Sequence, residues 1–147
     1  ISPTVAWLLG LAGVLPFLFF SIFINSTHQS IDFDLGLMVY GAVILSFLSG
    51  AIWGLLISAE NRIYKPFFLC LAVMPALFGW ICVFVPKVIG LGILIVSFIF
   101  VLALDYFLFR NNKIESWYIK LRVTLTFLVI LILAMAIVIP FWHVKLL

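Results

Sequence analysis

GILIVSFIFVLALDYFLFR, Gly92 to Arg110, runs as far as Leu104 with no group more polar than the Ser97 hydroxyl, then meets Asp105 and, more than a turn later, Arg110. The run does not alternate polar with apolar, as a half-buried strand would, and it is longer than a buried strand needs. An unbroken apolar stretch ended by charges reads as a helix crossing a bilayer.

The same pattern extends in both directions from this stretch. Of the 147 residues, 67% are hydrophobic and 9% charged, and the mean hydropathy is +1.42. A soluble domain carries about a quarter charged residues, so nothing here keeps a folded chain in water. In lipid every backbone N–H and C=O must pair internally, which leaves helices or closed barrels; the unbroken runs select helices. Spanning a hydrocarbon core of about 30 Å takes about 20 apolar residues, and five stretches fit, at roughly 3 to 24, 36 to 58, 67 to 85, 88 to 108 and 121 to 142. The expectation is an all-α polytopic membrane protein, a five-transmembrane-helix bundle with residues 1–147 as a single domain. The first run has neither a basic leader nor a small-residue cleavage site, so it is read as a retained helix.

The charges lie between the runs, in NSTHQSIDFDL, AENRIYKP, VPK and FRNNKIESWYIK. With five crossings, Arg62, Lys65, Arg110, Lys113, Lys120 and Arg122 fall on one side, and only Lys87 and Lys145 on the other. The positive-inside rule then predicts an inner N-terminus and an outer C-terminus. Basic residues scattered singly make no phosphate-binding stripe, so no nucleic-acid partner is expected. Cys70 and Cys82 sit in one expected helix, roughly 18 Å apart along its axis, too far for a disulfide. Pro16 and Pro75 lie inside expected helices and should kink them.

Two constellations stand out. Ser46, Gly50 and Gly54 recur every four residues in SFLSGAIWG and form a narrow smooth strip, which lets helix backbones approach closely in lipid. With Trp53 they are the expected helix-packing residues, buried within the chain or forming a seam to a partner. Ser46 and Ser49 are expected to bond back to their own helix. The second constellation is Asp105 with Arg122. An acid inside lipid costs about 2.5 to 3.5 kcal/mol at the bilayer centre and less near the interface, so Asp105 should face protein, water or a cation. Arg122, at similar depth in an antiparallel hairpin, offers a planar fork of donors; the alternative is that both side chains snorkel to headgroups. Tyr118 and Thr126 share the face of Arg122 at four-residue spacing, and Glu60 ends the second helix on the same side. On the other side His28, Asp32, Asp34 and His143 lack tight metal-ligand spacing and read as a solvated acidic region. No phosphate loop or HExxH occurs, and no cofactor is expected.

Three stretches, YGAVILSFLSGAIWG from Tyr40, LAVMPALFGW from Leu71 and DYFLFRNNKIESWYIKLRVTLT from Asp105, together with LGLAGVLPF near the start, resemble a small five-helix membrane family of unknown function. That family includes mitochondrial transmembrane protein 69 and bacterial inner-membrane proteins. The matching residues are Tyr40, Ser46, Phe47, Gly50, Trp53, Gly54, Pro75, Trp80, Asp105, Trp117, Tyr118, Arg122 and Thr126. One departure is Ile52, where relatives often carry a basic residue. The resemblance implies a bacterial or mitochondrial inner membrane and no established activity. The expected role is a non-catalytic accessory or assembly subunit, with the lipid bilayer and other membrane subunits as partners. The alternative is a carrier or binding protein for a lipid, quinone or other apolar solute, with a cleft near Pro16 and Pro75 and the charged residues at its mouth.

Overall fold

The computed structural model describes residues 2–24, 32–58, 65–110 and 116–145, with backbone alone at 65, 109 and 140–145. It is helical throughout: α1 Pro3–Phe23, α2 Phe33–Ser58, α3 Lys65–Cys82, α4 Lys87–Arg110 and α5 Ser116–Lys145. Among the described residues there is no strand. Four of the helices, α1, α2, α4 and α5, are long and apolar enough to cross a bilayer, whereas the apolar part of α3, Pro66–Cys82, is shorter. At about 1.5 Å per residue α3 reaches roughly 26 Å, just under a hydrocarbon core of about 30 Å.

Local chemistry sets the helix starts. Pro3 occupies the first helical position after Ser2, where the missing N–H is not needed. Asp32 caps α2, its Oδ1 accepting from the Leu35 N–H at 3.0 Å. That cap, lying ahead of the apolar run, starts α2 at Phe33 rather than near 36. A tight turn at Val83 and Phe84 ends α3, and α4 begins directly after Pro86, so the two helices are antiparallel neighbours as expected.

Helices α1, α2, α4 and α5 close a ring by packing α1 on α2, α2 on α4, α4 on α5 and α5 on α1, while α3 lies against α2 and α4. Phe17 occupies the middle of this ring, edge-on to Tyr40 at 4.8 Å and to Phe98 at 5.9 Å. Tyr40 also donates its hydroxyl to the Gly13 carbonyl at 2.8 Å. The carbonyl that Pro16 deprives of its helical donor is that of Ala12, one residue earlier, so Tyr40 ties α2 to α1 in the turn that the proline loosens. The outward surface is equally apolar: Phe47 is 71% exposed and Phe127 65%. A water-soluble monomer does not cover itself with such residues; hydrocarbon accepts them.

Close backbone approach occurs, but not at the small-residue strip. A Cβ built on Gly79 would lie 3.0 Å from the Ala42 Cα, and one on Gly90 would lie 2.6 Å from the Cys82 carbonyl oxygen. The α2–α3 and α3–α4 seams therefore depend on Gly79 and Gly90. Ser46, Gly50, Trp53 and Gly54 are all exposed, and a Cβ on Gly50 or Gly54 would meet nothing within 4 Å among the described residues. The expectation that this strip packs within the chain is thus overturned. The buried face of α2 is instead Leu45, Ser49, Ile52 and Leu56, where the leucines and the isoleucine fill the interior.

Candidate functional site

Helices α2 and α4 run parallel in a register fixed near their starts. Lys87 Nζ lies 3.1 Å from Asp34 Oδ1, and Gly41 faces Leu94. Continued along both helices, the same offset brings Ile52 to the level of Asp105. Ile52 is fully buried, so the position where a basic residue would stand lies inside the bundle in this chain.

Asp105 is 2% exposed and Arg122 9%. Arg122 donates to Asp105 Oδ2 from Nε at 2.6 Å and also from Nη2. The expected meeting of these two residues is thus what the structure holds, in place of separate snorkelling to headgroups. The fork closes on one oxygen rather than two, and the buried Oδ1 has no hydrogen-bond partner among the described residues. Leu102, Tyr106, Tyr118 and Ile119 join the charged pair in lining a recess between α4 and α5 of about 10 Å³, room for roughly one water molecule.

Tyr118 is half-buried at this recess, and Thr126, a turn beyond Arg122, is buried. Glu60 lies outside the described residues. Trp53 is placed elsewhere: its indole N–H donates to the Leu69 carbonyl at 3.1 Å, tying α2 to α3. Ser46 bonds back to the Ala42 carbonyl at 2.9 Å, but Ser49, expected to do likewise, is buried with its hydroxyl unpartnered among the described residues. Leu102, Tyr106 and Ile119 carry no sequence signal of their own; only the hairpin register from Asp105 to Arg122 leads to them.

Pro75 is fully buried and Pro16 half-buried. At the opposite end Asp32 is a helix cap and Asp34 pairs with Lys87. The side chains of His28 and His143 lie outside the described residues. Among those described, no three His, Cys, Asp or Glu residues gather as metal ligands would.

The apolar spans agree with what comparison with known proteins finds. Residues 2–138 match a family described as "Protein of unknown function (DUF3429)". The chain is similar to Transmembrane protein 69 of Xenopus tropicalis, at 35% identity over 130 residues, which is 85% of this chain and 50% of that protein. It therefore spans about half the length of this curated relative. No solved structure matches the chain. With nearly the whole chain inside the family match and the helices to cross a bilayer, this is an integral membrane protein that belongs to the DUF3429 family of unknown function.

Proposed function

We propose that the chain is a non-catalytic accessory or assembly subunit of a larger complex in a bacterial or mitochondrial inner membrane, and that the outward face of α2 is where it packs against other subunits. One observation carries the reading: Ser46, Gly50 and Gly54 form a small-residue strip that this chain leaves open, flanked by the exposed Phe47 and Trp53. In lipid there is no hydrophobic drive between helices, and a smooth strip favours association by letting a second backbone come close. The carrier alternative is supported less well. A cargo-sized pocket takes roughly 300 to 1,000 Å³, against the recess of about 10 Å³ at Asp105.

Gly50→Leu tests the reading. Because nothing within this chain abuts Gly50, the variant should fold with unchanged yield and thermal stability while losing co-purification at fixed stoichiometry in mild detergent. Retained co-purification removes α2 as the contact; lost folding shows the strip to be internal.

The same reading places the N-terminus and the second and fourth loops inside, with α3 crossing despite its length. The support is the basic excess of Arg62, Lys65, Arg110, Lys113, Lys120 and Arg122 over Lys87 and Lys145. A reporter active only in the cytoplasm, fused after Leu147 and expressed in a bacterial inner membrane, should be silent. Activity there reverses the orientation or reduces the crossings to four.

A further inference from the structure

Asp105 spends Oδ2 on two Arg122 donors, while the buried Oδ1 is left without a partner among the described residues. A carboxylate oxygen in a low-dielectric interior gains strongly from a second donor, above all a charged one. Asp105 also lines the recess between α4 and α5, and the rim residue Tyr106 is 54% exposed. The recess thus adjoins the outer surface of the bundle, which lipid covers. Asp105 lies five residues before the end of α4 and Arg122 six after the start of α5. At about 1.5 Å per residue the pair is roughly 8 Å from those ends, near the boundary of headgroups and acyl chains. Arg110 and Lys120, at the same ends of the same helices, are exposed cations.

We propose that this recess binds the headgroup of a phospholipid carrying a primary ammonium, with the ammonium donating to Asp105 Oδ1 while Arg122 stays on Oδ2. Three features select this chemistry. The recess has room for about one water-sized group, so a slender aminoethyl tip fits where a trimethylated head does not. The orphan atom is an acceptor, and a quaternary ammonium has no N–H to give it. The lipid phosphate, one short linker further out, is left at the level where Arg110 and Lys120 meet the headgroups. The acyl chains run outside the bundle, so the lipid is a fixed component rather than cargo. The site is on α4 and α5 and does not depend on the role given to α2.

The test is native mass spectrometry of the purified protein after exchange into equal amounts of dioleoyl phosphatidylethanolamine and dioleoyl phosphatidylcholine. The wild type should retain one ethanolamine lipid with about tenfold preference, the scale of one charge-assisted hydrogen bond lost. Leu102→Phe, which fills the recess and leaves the charge pair in place, should abolish the preference without lowering thermal stability; Asp105→Asn should weaken it. Equal retention of the two lipids overturns the proposal, as does a preference that survives both variants. A second exchange with dioleoyl phosphatidylglycerol separates ammonium from hydroxyl: stronger retention of the glycerol lipid overturns the ammonium assignment. If Leu102→Phe fails to fold, Ile119→Phe provides the same block from α5.

Discussion

Asp105→Asn and Arg122→Gln are each expected to lower unfolding free energy by about 3 kcal/mol, and the double variant by clearly less than their sum. The asymmetry follows from burial. Each single change leaves a charge in the bundle interior facing only a neutral amide, without its countercharge. Removing both leaves two neutral amides of similar shape, which are able to hydrogen-bond each other. The pair's position about one and a half turns from the helix ends moderates the cost, because a freed Arg122 can partly snorkel to the interface. A double-mutant cycle read by reversible unfolding in mixed micelles should give a coupling of about 1 to 3 kcal/mol. Additive single effects would falsify the pair as a coupled element and leave Arg122 as a headgroup anchor.

Gly90→Ala is the second large effect, expected to cost about 2 kcal/mol. The added methyl would stand 2.6 Å from the Cys82 carbonyl oxygen and 2.6 Å from Met38 Sδ. Met38 can swing aside, but the carbonyl belongs to the end of α3, which the short Val83–Pro86 turn holds against the start of α4. Relief requires α4 to move away from α3, which disturbs the Lys87–Asp34 contact beside it. Gly92→Ala is the internal control: a Cβ there meets nothing within 4 Å, and alanine is the better helix former, so stability should hold or rise slightly. Equal effects of the two substitutions would show that the α3–α4 seam is looser than described.

The helices were legible because lipid imposes a simple demand, about 20 apolar residues per crossing, and the runs around Gly92–Leu104 meet it without interruption. Their ends were less so. Helix α5 begins at Ser116 rather than near 121, because Trp117, Tyr118 and Lys120 belong to the helix while lying at or beyond the hydrocarbon edge; hydropathy reports the solvent, not the backbone. Asp105 and Arg122 were legible as a pair because the cost of an isolated buried charge leaves few arrangements for an antiparallel hairpin. The strip at Ser46, Gly50 and Gly54 misled because spacing shows where a backbone can be approached, not what approaches it. Gly79 and Gly90, which do mediate close contacts, stand alone in the sequence and form no pattern. The recess beside Asp105 was not legible at all, since its lining comes from side chains on two helices whose rotation only the packed bundle fixes.

A photoreactive phenylalanine analogue placed at position 50, compared with one at position 96 on the lipid-facing side of α4, tests the central claim most directly. Val96 is exposed on the bundle surface and should yield lipid adducts alone. On irradiation of native membranes, the probe at position 50 should give one discrete protein adduct, of the same mass as the species that co-purifies in fixed proportion with the wild type. Lipid adducts alone at both positions would contradict the account, since the open strip on α2 would then face hydrocarbon and not a neighbouring subunit.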